Sequence, residues 1–533
     1  MSTFGSFTTV RLGIYSAQKG LDVTGNNITN INTKGYTRQQ LNQVSLVPSV
    51  TDRYASSYSN RIGQGALVTG ILQLREPGLD ISFRKAQSDV GAADAKLAGL
   101  NDLATILDEV GKGSLDQDDG VILSQLNDLR DLISQAIANG SDPTYDELIR
   151  TSASSLTTLF NSYAGKLSEL QKTYEEKLDQ QVTEVNDILT RIRDLNVSIR
   201  NADLRGDPGL ELRDQRNLLL DELSGYMKID VKYSMEDVGA DTLVEKLTIT
   251  LAGDPPHNHT LVDGEYASKL QADPNNNYRI NLYALRDSDG EKQTAGATDP
   301  LTLLDTDLYG SLQSIRELLT EEGEFADAGD VAADANATVK RGIPYYQKAL
   351  DSLAYEFAME MNKLNDTDLE GAGNLFSNGS NSDDATGITA ANISVSHSWS
   401  TGAVTIQSTS DPLAPSGDTS NLARFLALFD QKLDFDPKHI EADAVGSSYH
   451  GTFEDMLFKI QSTLGQDQSS TDAVLNNYIV TADDIYVDRE AVSGVDLNDE
   501  ATSLMTYQKA YTAACRLLTT LEEALDSLIN ATV

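Results

Sequence analysis

The sequence predicts a mainly helical protein with a β-rich insertion: a coiled coil of terminal helices, an elongated helical bundle and an inserted outer β domain. Three observations carry this reading. Apolar residues recur at three- and four-residue spacing at both ends of the chain. The same spacing is sustained from Leu156 to Ile199. Between 226 and 335 it gives way to short alternating runs separated by Asp, Gly, Pro and Asn clusters.

At the N-terminus, Val10, Ile14, Ala17, Leu21 and Ile28 fall 4, 3, 4 and 7 residues apart, which is a heptad seam. Gly13, Gly20 and Gly25 interrupt it. Each costs about 1 kcal/mol against alanine in a helix interior, so this helix needs a partner. It stops at Asn30-Ile31-Asn32-Thr33-Lys34-Gly35-Tyr36, a turn-forming run. Tyr54, Tyr58 and Ile62 lead into a turn, strand and turn over Gly63 to Gly70, and helix resumes from Ile81 to Leu107. The longest periodic segment begins near Asp142-Pro143, where Asp caps and Pro opens a helix. It carries Phe160, Tyr163, Leu167, Tyr174, Leu178, Val185 and Ile192 on one stripe and breaks at Gly206-Asp207-Pro208-Gly209. A shorter helix follows over Glu211 to Ser224.

Strands are expected at Ile229–Tyr233, Leu247–Leu251 and Tyr278–Leu282, and a helix from Pro344 to Asn365. Residues 366–420 are rich in Asn, Ser, Gly and Thr. Alternation at Ile393, Val395, His397 and Trp399, then at Val404 and Ile406, reads as a small β excursion or long loop. Helical segments near 420–430 and 450–464 lead to the last helix. There Leu497, Ala501, Leu504, Gln508, Tyr511, Cys515, Leu518, Leu525 and Leu528 mirror the N-terminal stripe.

Composition narrows the function. A chain of 533 residues is too long for one core. Asp and Glu outnumber Lys and Arg by 81 to 41, a net charge of −40. Such a surface repels phosphate backbones and anionic lipid heads, so neither nucleic acid nor membrane is an expected partner. The single cysteine, Cys515, rules out a disulfide framework. Met1 to Lys19 lacks a basic start followed by an apolar run, so no cleaved secretory signal is expected.

Nothing points to catalysis. There is no Gly-x-Ser-x-Gly elbow, phosphate-binding Gly-Lys-Ser/Thr loop or dinucleotide fingerprint, and no cofactor is expected. His257 and His259 alternate around Asn258 without further converging ligands. Asp366, Asp368 and Glu370 precede Gly371, but Ser377 stands where a calcium loop needs a bidentate Glu. Asp116, Asp118 and Asp119 before Gly120 miss the required alternation. All three groups read as solvated turns, and no metal site is expected.

Four stretches carry a family resemblance. The run from Arg11 through Asn26-Asn27-Ile28, Asn32-Thr33 and Gly35-Tyr36 resembles the N-terminal signature of flagellar axial proteins. Its continuation, Thr37-Arg38-Gln39, resembles the first hook–filament junction proteins within that family. Lys34 stands where the family usually has Pro, which loosens the turn. Gly63 to Ile71 with Leu79-Asp80, Leu212-Arg213-Asp214-Gln215-Arg216, and Ser493 to Ala501 with Tyr507 to Tyr511 are similar to the family's later signatures.

The resemblance implies a structural, self-assembling protein of the bacterial flagellum, not an enzyme. It would be exported without a cleaved signal peptide to an extracellular position between hook and filament. The implied partners are the hook protein, the second hook–filament junction protein, further copies of this chain, and an export chaperone on the C-terminal helix from about Leu504 to Leu528. Residues 1–40 and 491–533 would form the terminal coiled-coil domain. Residues 41–225, 336–365 and 421–490 would form the helical-bundle middle domain. The insertion at 226–335 would face outward, and 366–420 would be the smaller excursion.

The expected assembly interface is Val10, Ile14, Leu21 and Ile28 against Leu504, Tyr511, Leu518 and Leu525. Asn26, Asn27, Asn32 and Gly35 would shape the turn between the terminal and middle domains. Two alternatives compete. One is another axial protein: hook, distal rod or second junction protein. The long helical body at 142–200 argues against it. The other is a secreted acidic adhesin or hydrolase working through 226–420.

Overall fold

The computed structural model describes residues 3–46, 63, 65–107, 120–139, 143–239, 243–253, 257–294, 299–304 and 307–532. Tyr54, Tyr58, Ile62, Asp116, Asp118, Asp119 and Asp142 lie outside the described residues. The fold is mainly helical, with small sheets inserted into it.

Helix α1 (Thr3–Thr29) leads into an antiparallel hairpin of β1 (Gln39–Ser45) and β2 (Ala66–Gln73). The body begins with α2 (Pro77–Leu107), α3 (Val121–Ala138) and α4 (Pro143–Asp203). At 61 residues, α4 is about 90 Å long. It buries Leu156, Phe160, Tyr163, Leu167, Tyr174, Leu178, Val185, Ile192 and Ile199 on one stripe, as the spacing requires. It ends where Gly206 and Gly209 adopt positive φ, and α5 (Leu210–Tyr226) turns back against it.

Two antiparallel sheets follow. The first holds β3 (Ile229–Asp237), β4 (Leu243–Leu251), β5 (Thr260–Asp263) and β6 (Tyr266–Ala267), in that order. The second holds β7 (Leu270–Asp273), β8 (Arg279–Leu282) and β9 (Leu301–Thr302). Alternation aims Leu247, Ile249 and Leu251 of β4 inward, where they are fully buried. Asn186 of α4 clasps the backbone of Leu270 through both its amide groups, at 2.7 and 2.9 Å. Asn196 of α4 donates to the Gly264 carbonyl at 2.9 Å.

Helices α6 (Ser311–Thr320), α7 (Ala328–Ala333) and α8 (Ile343–Asn365) return to the body. The excursion pairs β10 (Phe376–Ser377) with β11 (Ser394–Val395), then adds one turn, α9 (His397–Ser400). Its anchor is Trp399, the only tryptophan, which is fully buried. The indole N–H donates to Asp146 of α4 at 3.0 Å, and the ring packs edge-on against Phe376. Helix α10 (Ser420–Leu428) and the pair β12 (Leu433–Phe435) and β13 (Tyr449–Gly451) precede α11 (Phe453–Ser493). Thr452 and Asp455 close a capping box at the start of α11. The chain ends on α12 (Leu497–Thr532).

Among the described residues, one apolar core runs from Leu100 to Leu464. It joins α2, α3, α4, α5, both sheets, α6, α8, α10 and the start of α11. It contains no residue of α1, β1, β2 or α12. No described helix is long and apolar enough to cross a membrane.

The elements depart from the sequence expectation at α3, α6, α7, α9 and α11. Helices α3, α6 and α7 stand where no helix is expected, the last two inside the region read as strands. Helix α11 continues to Ser493 instead of stopping near 464. His397 and Trp399 lie in a helical turn begun by Ser396, whose side chain accepts from the Trp399 N–H, so their alternation is not that of a strand.

Candidate assembly site: the terminal helices and their joint to the body

Helices α1 and α12 pack against each other and run antiparallel, since Gly20 meets Tyr507 while Arg38, just past α1, meets Ser493 and Glu500. Gly20 is buried against the Tyr507 ring. A Cβ there would lie 2.4 Å from ring carbon Cδ1, so the residue that weakens the helix also lets the two helices approach.

The expected seam residues are distributed along this pair. Val10 is buried, and Ile14, Leu21 and Ile28 are half-buried. On α12, Leu504, Leu518 and Leu525 are half-buried and Tyr511 is exposed. Tyr507, Ala514 and Leu521 share their half-buried face at the intervening heptad positions. The other side of α1 packs on the β1–β2 hairpin, where Ser16 donates to Gln43 at 2.6 Å. From residue 501 to 531, no residue of α12 is buried. From the level of Gly20 and Tyr507, α1 reaches back seventeen residues to Thr3 and α12 forward twenty-five to Thr532. At 1.5 Å per residue, α12 overhangs by about 12 Å.

The joint is built from asparagines. Asn30 closes the end of α1 by donating to the Asn26 carbonyl and side chain, at 3.0 and 2.9 Å. Asn27 is 1% exposed and pairs with the Gln39 backbone like a strand partner: its amide donates at 2.9 Å and its oxygen accepts at 3.0 Å. That oxygen also accepts from the Tyr36 hydroxyl at 2.8 Å. Burial beside Asp214 and Glu211 holds the Tyr36 phenol far above its usual range, so it remains a donor. Gly35 takes φ +79° beside Leu218. Asn32 is exposed, and nothing in the structure explains its place among the expected turn residues. Asn30 and Tyr36 bound the turn-forming run that the sequence marks, and Asp214 lies in the Leu212–Arg216 signature, but only the fold brings Asp214 to Thr37, 177 residues away.

Thr37, Arg38 and Gln39 then bind two distant segments at once. The Thr37 hydroxyl and N–H donate to the two oxygens of Asp214 on α5, at 2.6 and 3.2 Å. Gln39 donates to Glu211 on α5 at 3.2 Å. The Arg38 N–H donates to the Ser493 carbonyl, and its Nε to Glu500, both at 2.8 Å. Glu500 is buried, so removing Arg38 would strand a carboxylate at a cost of about 3–5 kcal/mol. Burial pushes the Asp214 carboxyl up to about 6, against the opposing pull of its Thr37 bonds and of Arg75. One turn before the joint, Arg489 of α11 pairs with Asp221 at 2.7 Å and lies over the Phe83 ring. Three stretches far apart in sequence, at 37–39, 211–214 and 493–500, meet here.

The other candidate residues gather around different partners. His257 and His259 flank buried Asp307, at 2.6 and 3.5 Å. Among the described residues, no group of three His, Cys, Asp or Glu is placed to hold a metal ion.

Comparison with known proteins is specific. Residues 112–378 match the family described as "Flagellar hook-associated protein FlgK helical domain", and residues 490–531 match "Flagellar basal body rod FlgEFG protein C-terminal". Flagellar hook-associated protein 1 of Bacillus subtilis is 26% identical, covering 99% of this chain and 98% of its own length. That of Salmonella typhimurium is 22% identical, covering 97% and 98%. The solved flagellar hook junction protein FlgK from Burkholderia pseudomallei superposes with a TM-score of 0.55 at 13% identity. It covers 78% of this chain and all of its own. At that identity it supports the fold.

Proposed function

The chain belongs to the family of the flagellar hook-associated protein FlgK, and from that premise we propose how it builds the junction between hook and filament. It is a structural protein of that junction, and as a flagellar axial protein it assembles with copies of itself and with other parts of the flagellum. The segments 1–40 and 491–533 act as the inner coiled-coil domain. Residues 41–225, 336–365 and 421–490 act as the middle domain, with 226–335 and 366–420 facing outward. The hook protein lies on one side and the second junction protein on the other. Before assembly an export chaperone covers Leu504 to Leu528, and the subunit leaves the cell without a cleaved signal. The work is done by packing, without catalysis.

One observation carries this reading. Helix α12 has 36 residues, yet it buries none from 501 to 531 while presenting Leu504, Tyr511, Leu518 and Leu525 at heptad spacing. A seam left this open by its own chain is suited to closure by neighbouring copies. Such contacts between unlike surfaces need not close on themselves and can propagate as a lattice. In this reading Val10, Ile14, Leu21 and Ile28 complete the other half of the seam. Asn26, Asn27, Asn32 and Gly35, with Thr37 to Gln39, fix its angle to the body.

The test is binding to isolated, filament-free hooks, followed by flagellin polymerisation. Full-length protein is expected to cap the hook tips, seen by electron microscopy, whereas a folded 41–490 fragment is not. Equal capping by that fragment would overturn the terminal-helix mechanism, and failure of the full chain to cap would overturn the junction reading.

A further inference from the structure

The terminal unit and the body differ in charge as sharply as in packing. Everything before α2, residues 1–76, holds seven Lys and Arg against three Asp and Glu. Helix α12 with its tail, residues 497–533, holds two against five. These are the elements that the apolar core leaves out. Together their 113 residues carry a net charge of +1. The 420 residues between them hold 32 Lys and Arg against 73 Asp and Glu, a net charge of −41. The excess acidity of the chain therefore belongs entirely to the body.

Within the terminal unit the two halves have opposite signs, +4 before α2 and −3 on α12 with its tail. They meet at the Arg38–Glu500 pair. Copies of such a unit can lie side by side without net repulsion. The body has no such balance. Its cations are engaged with its own acids, as Arg216 is with Glu245, Lys340 with Asp334 and Lys348 with Glu322. Other acids project outward: Glu169, Glu176 and Asp179 on α4, and Asp483, Asp484 and Asp488 on α11, are all exposed.

A net charge this far from zero keeps like chains apart. A lattice sets bodies beside one another, so each copy that joins must approach others of charge −41. Dissolved ions set the range of that repulsion. The Debye length is about 30 Å at 0.01 M salt and about 8 Å at 0.15 M. The attraction along the apolar seam of α12 involves no charge to be screened. Salt therefore weakens what separates the copies and spares what joins them.

We propose that the body is an ionic-strength gate on assembly. Its charge holds copies apart in dilute electrolyte, and screening by monovalent cations lets the near-neutral terminal units come together. The inference rests on the junction reading above and adds the condition under which copies join.

The test measures how fully the full-length chain occupies the tips of isolated, filament-free hooks, by electron microscopy, at about 10 mM and about 200 mM NaCl. Occupancy is expected to rise about tenfold with salt. A second full-length chain carries Glu169→Lys, Glu176→Lys, Asp179→Lys, Asp483→Lys, Asp484→Lys and Asp488→Lys, which takes its body from −41 to −29. Repulsion between two bodies scales with the product of their charges, so it falls by about half. Because all six sites are exposed, this chain is expected to melt no lower than the parent. It should occupy more tips than the parent at the lower salt and gain less from the higher. Parent occupancy that stays level or falls with salt overturns the proposal, and so does a response of the lysine variant as steep as the parent's. If the parent reaches the tips at neither salt, the junction reading fails and this inference with it. If the parent caps the tips equally at both, this inference alone fails.

Discussion

Asn27 illustrates how much of the joint rests on single side chains. Its amide replaces a strand partner for Gln39 and accepts from Tyr36 as well, all with almost no solvent exposure. Asn27→Ala removes three hydrogen bonds and leaves the Gln39 backbone groups buried and unsatisfied. A cost of about 3 kcal/mol follows from roughly 1–3 kcal/mol per stranded group. The expected result is about a hundredfold loss of hydrogen-exchange protection at the Gln39 amide, read by mass spectrometry on the full chain. Unaltered protection there would show that the turn is held by something else. Gly20 carries a steric constraint of the same local kind, because the Tyr507 ring occupies the volume a Cβ needs.

At the scale of elements, helices α4 and α12 contrast. Both have apolar stripes at three- and four-residue spacing, but α4 buries its stripe within the core and α12 leaves its own open. Stability and assembly should therefore separate in α12. Leu518→Gln is expected to leave the thermal unfolding of the body unchanged while abolishing hook-tip binding. Calorimetry alongside tip binding checks this; a large fall in the body's melting temperature would mean that α12 is a core helix of the monomer. The same contrast explains why the sequence predicts α11 to end too early, near 464. After Leu464 it buries only Leu475 and Ala482, so its apolar residues no longer follow a single stripe.

For the whole molecule, acidity sets the pH response. Burial pushes Asp214 and Asp351 up to about 6 and Glu321 up to about 7. Each folded-state value lies above that of the unfolded chain. The stability these groups contribute is complete below about pH 4 and is lost as pH rises through 6 to 7. Asp334, held by its hydrogen bond from Lys340, and Asp383, held by the Ser398 N–H, are shifted down and act in the opposite sense. What they contribute is present above about pH 4 and is lost below it. The melting temperature is therefore expected to rise as pH falls from 8 to about 5.5 at fixed ionic strength, and to decline below about 4. Glu321→Gln should flatten the upper limb; a melting temperature that falls from pH 8 to 5.5 would contradict the assignment.

The sequence by itself determined the long helices, the helical class with a β insertion, and the family. Each rests on local information: 3.6-residue periodicity, turn residues such as Gly206-Asp207-Pro208-Gly209, and contiguous signatures such as Asn26 to Gln39. It also located the seam residues on their helices. Only the tertiary structure decided what each stripe faces. Periodicity reports that a side of a helix is apolar, without naming its cover, so α4 and α12 look alike until the core is formed. The joint was hidden for the same reason. Thr37 and Asp214 are 177 positions apart, and Arg38 and Glu500 are 462 apart. A polar pair gains its strength from burial and from a partner held in place, and both are properties of the folded chain.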